Sequence, residues 1–380
     1  MARRGHGEGS IYKGPDGRWR AVVDLGQMGG KRQRKYLSGK TRREVQLKLT
    51  AALRDHQQGL PLAPERQTLE QFLTHWLEDT ARPSGRPRVF IRYRELLTLH
   101  VIPVLGKRPL VKLTPQELNT LYGQKVAAGL SPQTVTHLHR VLHRALRDAV
   151  RWNLTPRNVC DLVDPPRVPR RREQWLDVDQ ARRLLAAAAG DPLEALFVLA
   201  LTTGMRQSEL LGLKWEDVDL ANGTLRVRRA LQRVPGQGFV ETEPKSATSR
   251  RQIALTPLGL AALKRHRAQQ NEQRLAAGPA WENHELVFCN GVGRPIEHTN
   301  LLRRSYWPLL ERAGLPRIRF HDLRHSTASL LGSLNVPAKI IQEVMGHSQI
   351  SVTMDVYAHT MPGMQADAMS KLNALLLAEG

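Results

Sequence analysis

The sequence is 380 residues long, contains two cysteines and carries a formal net charge of +22. This length predicts two or three domains, and the composition excludes a disulfide framework, a signal peptide and a membrane-spanning helix of roughly 18 apolar residues. The charge favours a polyanionic partner, with nucleic acid as the leading class, although ribosomal and membrane-surface proteins are also basic. We expect a soluble protein of a reducing cytosol.

Residues 1–60 are predicted to form a small β-sheet followed by a helix. Short runs rich in aromatic and β-branched residues alternate with glycine-containing turns, and Thr41 is placed to cap the helix. Because basic and aromatic residues interleave along the strands, we expect the sheet to contact a nucleic-acid groove. The basic residues expected to make this contact are Arg18, Arg20, Arg34 and Lys35. The alternative is an adapter domain with a solvated basic face.

Residues 66–165 are predicted to be all-helical. Thr68 is placed to cap a first helix, Pro103 is expected to end a second, and Thr114 opens a third with a capping box. Ser131 opens the longest helix of this region, in which apolar residues recur every three or four positions and therefore face a core.

The same helix carries a stripe of arginines at helical spacing. Its members are Arg140, Arg144, Arg147 and Arg151. A basic stripe on one helix face suits contacts with the phosphates of a duplex, and it agrees with the charge of the whole chain. The alternative is an ordinary solvated face.

Residues 174–380 follow a linker rich in proline and arginine and are predicted to be mixed, mainly α-helical. Helices are expected near residues 179–188 and 192–203. The further elements expected are a strand at residues 224–228 and a hairpin at residues 240–255. The predicted fold class is therefore multidomain, with a small β-sheet plus helix, an all-α middle domain and an α+β last domain.

Two segments of the last region place a single basic residue where it could act on a substrate. An apolar helix is expected to stop at Gly204, and Arg206 follows just before the next helix, where its planar fork can bind a phosphate. The alternative is a surface arginine paired with Glu209, which would contribute little. Lys245 lies in the predicted hairpin and could donate a proton, with Lys214 as its rival.

A third segment places His321, Arg324 and His325 on one face of a predicted helix, at offsets of three and four residues. The competing interpretation is a metal site held by the two histidines. That site would lack the glutamate base of the zinc proteases, and Arg324 would repel a cation.

The fourth segment contains His347 and Tyr357. Gly346 is suited to end a helix and to leave His347 at an exposed turn, and Tyr357 is expected on a short helix that begins near Ser351. The rival tyrosine of this region is Tyr306, whose apolar and aromatic neighbours predict core packing.

These residues together have the chemistry of phosphodiester cleavage by a tyrosine. Two arginines can stabilise the charge of a pentavalent transition state. A tyrosine, with a pKa of about 10, needs cations or a base before it attacks, and lysine and histidine can move the protons. Since the sequence shows no carboxylate cluster of the two-metal type, we expect no metal and no other cofactor.

The order of Arg206, Lys245, His321, Arg324, His347 and Tyr357 resembles that of the tyrosine recombinases, in particular the phage-type, lambda-integrase-like integrases. The strings that carry the resemblance are Thr-Gly-Met-Arg-Gln-Ser-Glu-Leu, His-Asp-Leu-Arg-His, Met-Gly-His and the final tyrosine. They span some 150 residues, and the resemblance of the other regions extends over nearly the whole chain.

The resemblance implies a role for each residue. Tyr357 would attack the scissile phosphate and form a 3′-phosphotyrosyl link, with a free 5′-hydroxyl. Arg206, Arg324 and His347 would hold the phosphate. Lys245 would protonate the leaving oxygen, and His321 would act on the tyrosine proton.

The resemblance also implies an organisation and a set of partners. Residues 1–60 would be an arm-type DNA-binding domain, residues 66–165 a SAM-like core-binding domain and residues 174–380 the catalytic domain. A homotetramer would bind double-stranded attachment sites and pass through a four-way junction. DNA-bending and excision-directionality proteins could assist it, in the bacterial cytoplasm and at the nucleoid. The leucine-rich end of the chain would dock on a neighbouring protomer or close its own core.

Two other classes remain as alternatives. A type IB topoisomerase uses the same chemistry without strand exchange, and a catalytically inactive regulator would only bind DNA.

Overall fold

The computed structural model describes most of the chain and divides it into two compact units. The described residues are 10–28, 31–57, 67–84, 87–169, 174–243, 250–346, 349–350, 354, 369–370, 373 and 376. The first unit extends from Met1 to Arg170 and the second from Arg171 to Gly380. Among the described helices, none has both the length and the hydrophobicity needed to cross a membrane.

The amino-terminal region forms the predicted sheet and helix. Strands β1 Ser10–Lys13, β2 Trp19–Met28 and β3 Lys31–Gly39 pair antiparallel in the order β1-β2-β3. Helix α1 Arg42–Gln57 follows, and the Thr41 hydroxyl accepts from the Glu44 amide at 3.2 Å. One face of the sheet packs on α1 through a small core of its own. This core contains Ala21, Val23, Val45, Leu49 and Ala52.

The helical region of the first unit has the predicted caps. Its elements are α2 Leu69–His75, α3 Arg82–Ser84, α4 Pro87–Leu96, α5 Ile102–Leu105, α6 Pro115–Ala127 and α7 Pro132–Arg151. Thr68 and Thr114 each form a capping box, and Ser131 caps α7. The side chain of Trp76 is fully buried and donates to the buried Asp148 carboxylate at 2.9 Å.

The prediction that Pro103 ends a helix is wrong. A π turn at Leu97–Val101 precedes it, and α5 continues to Leu105. A proline is tolerated in the first turn of a helical segment, because the amides of that turn have no acceptor within the helix. The change from a π turn to an α-helix therefore accommodates the ring of Pro103.

The second unit is mixed and mainly helical, as predicted. Its helices are α8 Val178–Ala188, α9 Glu194–Thr203, α10 Gln207–Leu211, α11 Pro257–Ala277, α12 His298–Leu301, α13 Trp307–Arg312, α14 Phe320–Ser333 and α15 Ala338–Met345. Helix α9 is apolar on all sides, and it is buried against α8, α11 and α14.

The strands of the second unit pair differently from the predicted hairpin. They are β4 Val218–Asp219, β5 Thr224–Val227, β6 Ala230–Val234, β7 Gly238–Thr242 and β8 Arg251–Ala254. Strand β7 pairs with β6, and β8 pairs with β5 in a β4-β5-β8 sheet. The hairpin predicted at residues 240–255 is therefore wrong. Pairing β8 with β5 places Ile253 opposite Leu225, and both side chains are buried in the core.

Candidate active site

Arg206 lies at the junction of two helices, as the sequence predicts. Helix α9 ends at Gly204, which adopts the left-handed conformation with φ 59°, and α10 starts directly after Arg206. The backbone amide of Arg206 donates to Glu209 Oε2 at 3.0 Å, and its Nη1 donates to Glu209 Oε1 at 2.6 Å. The short helix therefore fixes both the backbone and the side chain of Arg206.

Glu209 is a buried carboxylate rather than a surface partner. Its side chain is 3% exposed, and its Oε2 also accepts from Arg251 Nη2 at 3.1 Å. Burial alone would raise the pKa of Glu209, but the guanidiniums of Arg251 and Arg206 outweigh burial and lower the pKa below its ordinary value. Arg206 therefore does pair with Glu209, as that alternative expected, but the carboxylate is buried and does not lie at the surface.

Arg324 reaches the same junction from α14. Its Nη1 donates to the Gly204 carbonyl at 2.6 Å, across 120 residues of sequence, and the residue is 3% exposed. Its Nη2 is buried and has no hydrogen-bond partner among the residues that the structure describes. Burial, with the nearby charges of Arg206 and Arg251, lowers the pKa of Arg324 to about 9, so the group stays charged at neutral pH.

His321 lies one turn before Arg324 on α14. Loss of hydration, followed by the charges of His325 and Arg324, lowers the pKa of His321 to about 4, although Asp322 acts in the opposite direction. The His321 and His325 rings meet edge to face, with centroids 5.1 Å apart. The lowered pKa favours the neutral imidazole at pH 7, and the His321 side chain itself lies exposed at the surface.

The end of α15 closes the cluster. Gly346 caps this helix in the left-handed conformation, with φ 64°, as predicted. Its carbonyl accepts from Arg206 Nη2 at 3.3 Å, and the Val344 carbonyl accepts from Arg251 Nε at 2.7 Å. Of the described residues, three arginines and one carboxylate thus lie at this junction, which leaves positive charge available to an anion.

Three of the predicted site residues, Lys245, His347 and Tyr357, lie outside the described residues. Lys245 falls in the connection between β7 and β8, and His347 follows Gly346 directly. The alternatives to Lys245 and Tyr357 each have another structural role. Lys214 pairs with Glu241 at 2.8 Å, and Tyr306 is fully buried, with a pKa that burial raises.

The predicted DNA contacts divide by exposure. Those that lie exposed are Arg18, Arg34, Arg140, Arg147 and Arg151. Arg20 pairs with Asp16 at 2.9 Å, and the Lys35 side chain lies outside the described part of the structure. Arg144 packs its guanidinium over Trp76 and Tyr93, at 5.9 and 5.8 Å from the ring centroids, so it is held within the helical core region.

Sequence reasoning did not select Arg251 and assigned Glu209 only to the weak alternative. Each belongs to a segment that the sequence singles out, but neither its burial nor its partners can be recognised from spacing. A carboxylate three residues after Arg206 was the available signal, since that offset places both side chains on one helix face.

Two regions of the chain match known domain families. Residues 174–363 match the phage integrase family, and residues 68–125 match the phage integrase N-terminal SAM-like domain. An integrase of Streptomyces ambofaciens is 35% identical, over 93% of this chain and 93% of its own length. The XerC-like tyrosine recombinase of Caldanaerobacter subterraneus subsp. tengcongensis is 30% identical, over 94% of this chain and 96% of its own length.

Solved structures of the same general fold were also found. The Tn1549 transposon integrase, in complex with a circular intermediate DNA, superposes with a TM-score of 0.67 and 21% identity. The superposition covers 80% of this chain and 99% of that chain.

Proposed function

The chain belongs to the phage integrase family of tyrosine recombinases, and from this premise we propose that Tyr357 is the nucleophile with which it cuts and rejoins DNA. The enzyme breaks and rejoins double-stranded DNA in site-specific recombination, and so integrates or excises a mobile element.

The observation that carries the assignment is the convergence of Arg206 and Arg324 at one helix end. Arg324 is anchored through Nη1, while its Nη2 is buried and finds no partner in the described part of the chain. An unsatisfied, charged donor inside a protein is costly, and such a group persists where a ligand completes its hydrogen bonds. A non-bridging phosphate oxygen, negatively charged and small, supplies the missing acceptor.

We assign each of these residues a separate role in the reaction. The Tyr357 oxygen attacks the phosphorus and the 5′-oxygen leaves, so that a phosphotyrosine ester replaces the phosphodiester. Arg206, Arg324 and His347 hold the non-bridging oxygens, whose charge increases in the transition state. Neutral His321 takes the proton of the tyrosine, and Lys245 gives a proton to the leaving oxygen. Reversal of these steps with another strand rejoins the DNA, and neither a metal nor a cofactor is required.

The organisation that we propose has three domains. Residues 1–60 form an arm-type DNA-binding domain, residues 66–165 a SAM-like core-binding domain and residues 174–380 the catalytic domain. The matches at residues 68–125 and 174–363 support the second and the third. Four copies assemble on paired attachment sites through a four-way junction, with DNA-bending and directionality proteins as further partners. We propose that the enzyme acts at the nucleoid, in the bacterial cytoplasm, because its substrate is DNA.

The test is covalent capture on a nicked duplex taken from DNA beside the gene. Wild type is expected to give a protein–DNA adduct on a denaturing gel, and Tyr357→Phe is expected to bind the duplex equally well but to give none, because it lacks the attacking oxygen. Tyr306→Phe is the matched control. It removes a buried hydroxyl that donates to the Arg319 carbonyl at 3.3 Å, and it should keep the adduct.

An adduct that persists in Tyr357→Phe would reject this nucleophile. Adduct formation and plasmid relaxation without any recombinant product would indicate a topoisomerase, and duplex binding without an adduct from wild type would indicate a regulator.

A further inference from the structure

We propose that Arg251 is a positioning residue, which fixes the guanidinium of Arg206 at the scissile phosphate. Arg251 is the first residue of β8, and the resemblance assigns it no role. The inference rests on the proposed role of Arg206, and it concerns how that side chain is held.

Arg251 first holds the carboxylate that binds Arg206. Glu209 Oε1 accepts from Arg206 Nη1, while Oε2 accepts from the Arg206 amide and from Arg251 Nη2. One buried carboxylate therefore joins two arginines, with its two oxygens differently occupied. Since the Glu209 side chain is 3% exposed and that of Arg251 6%, water can replace neither partner without rearrangement.

Arg251 also holds the second group that binds Arg206. The Gly346 carbonyl accepts from Arg206 Nη2, and the chain just before it is tied to Arg251 through the Val344 carbonyl at 2.7 Å. Gly346 packs directly on the arginine, because a Cβ added there would lie 2.9 Å from Arg251 Nη1. Among the described residues, the side-chain hydrogen bonds of Arg206 thus end on Glu209 and Gly346, and Arg251 contacts both of these residues.

The chemistry of arginine suits this task. A planar guanidinium directs Nε at one acceptor and Nη2 at another in a fixed geometry, which a lysine ammonium cannot reproduce. Its charge also helps to balance Glu209, and without it Arg206 would carry a larger share of the neutralisation of the buried carboxylate. Arg206 would then be drawn towards Glu209 and away from a phosphate.

The test uses the full-length protein and four variants. Arg251→Met removes the charge and the donors, Arg251→Lys keeps the charge alone, and Arg206→Ala removes the group that is positioned. Arg250→Met is the matched control, because the adjacent Arg250 is exposed and pairs only with the exposed Glu243, at 2.6 Å, among the contacts described. Thermal unfolding and duplex binding are measured for each variant.

We expect Arg251→Met to lower the single-turnover cleavage rate by about 10²-fold at saturating duplex, the loss typical of a displaced catalytic group. Duplex affinity should be unchanged, Arg251→Lys should be intermediate, and Arg250→Met should match wild type. If Arg251→Met does not fold, Arg251→Lys carries the comparison. A wild-type cleavage rate in a folded Arg251 variant would overturn the proposal.

A second substrate separates positioning of Arg206 from general damage. A methylphosphonate at the scissile position carries no negative charge, so cleavage no longer needs an arginine to neutralise it. The deficits of Arg206→Ala and of the Arg251 variant should both shrink on this substrate. If only the Arg206→Ala deficit shrinks, Arg251 does not act through Arg206 and the inference fails, while the role of Arg206 stands. If the Arg206→Ala deficit does not shrink, the proposed contact of Arg206 with the phosphate fails, and the inference fails with it.

Discussion

At the scale of single residues, the site is a cluster of cations that the protein holds at a cost to its own stability. Arg324 and Arg251 are nearly fully buried, and Glu209 is the buried carboxylate among them. Desolvation lowers the pKa of both arginines, which means that burial disfavours their charged forms. Binding of an anion stabilises such an arrangement. The free energy that burial of these charges costs the folded protein is then offset when a phosphate binds.

The pH dependence of cleavage should report the environment of His321. Its pKa lies below the ordinary value, at about 4, so the imidazole is neutral and can act as a base across the neutral range. The ratio of wild-type to His321→Gln cleavage, measured at low DNA concentration to report the free enzyme, should therefore stay constant as the pH falls from 8 to about 5. It should decline only as the pH approaches 4.

The same shift affects stability with a definite sign. The unfolded chain binds the proton of His321 more readily than the folded chain, so any contribution to the free energy of unfolding falls as the pH drops from about 6.5 towards 4. A loss of the cleavage ratio centred near pH 6.5 would contradict the prediction, because it would describe a histidine with an ordinary pKa.

At the scale of elements, helix ends bind the arginines of the site, whereas helix faces pack on the core. Left-handed glycines end α9 and α15, and the carbonyls of Gly204 and Gly346 accept from Arg324 and Arg206. Helix α7 instead packs an apolar face on the core, and its arginines lie outside that face. One of them, Arg144, stacks on the rings of Trp76 and Tyr93.

Two arginines of α7 should therefore respond differently to replacement. Arg144→Ala removes the contacts with both rings and a hydrogen bond to Ser84, and we expect it to lower the free energy of unfolding by about 1 kcal/mol. Arg147→Ala removes an exposed charge, and it should weaken duplex binding and reduce the slope of log K against log salt by about 1.

Denaturant unfolding and salt-dependent binding are measured for both variants, so that each serves as the control for the other. A normal salt slope in Arg147→Ala would show that this face of α7 does not contact phosphates.

At the scale of the whole molecule, the chain combines a net charge of +22 with separate hydrophobic cores. The sheet and α1 close a small core of their own, distinct from the cores of the helical region and of the second unit. Charge spread over such regions suits a protein that contacts DNA at more than one place.

Deletion of residues 1–60 should accordingly separate cleavage from regulated integration. The deletion removes the whole of the small core and leaves the two larger cores complete, so the remaining chain is expected to fold. It should cleave a nicked core site at the wild-type rate and integrate poorly between full attachment sites. The measurement is adduct formation beside plasmid integration, and full integration by the truncated protein would reject the arm-domain proposal.

The sequence by itself determined the features that depend on local interactions. The capping boxes at Thr68 and Thr114 and the helix ends at Gly204 and Gly346 follow from contacts within a few residues. The same holds for the placing of His321 and Arg324 on one helix. The family could be identified from the sequence because its polar segments occur in a fixed order along the chain.

Only the tertiary structure decided the features that depend on distant partners. Pairing of β8 with β5, burial of Glu209 and stacking of Arg144 each join segments whose local patterns permit other solutions. Arg251 shows the reason most clearly. In the sequence it is one of 57 lysines and arginines, and its task follows from the burial of a carboxylate 42 residues away and from a carbonyl at the end of α15.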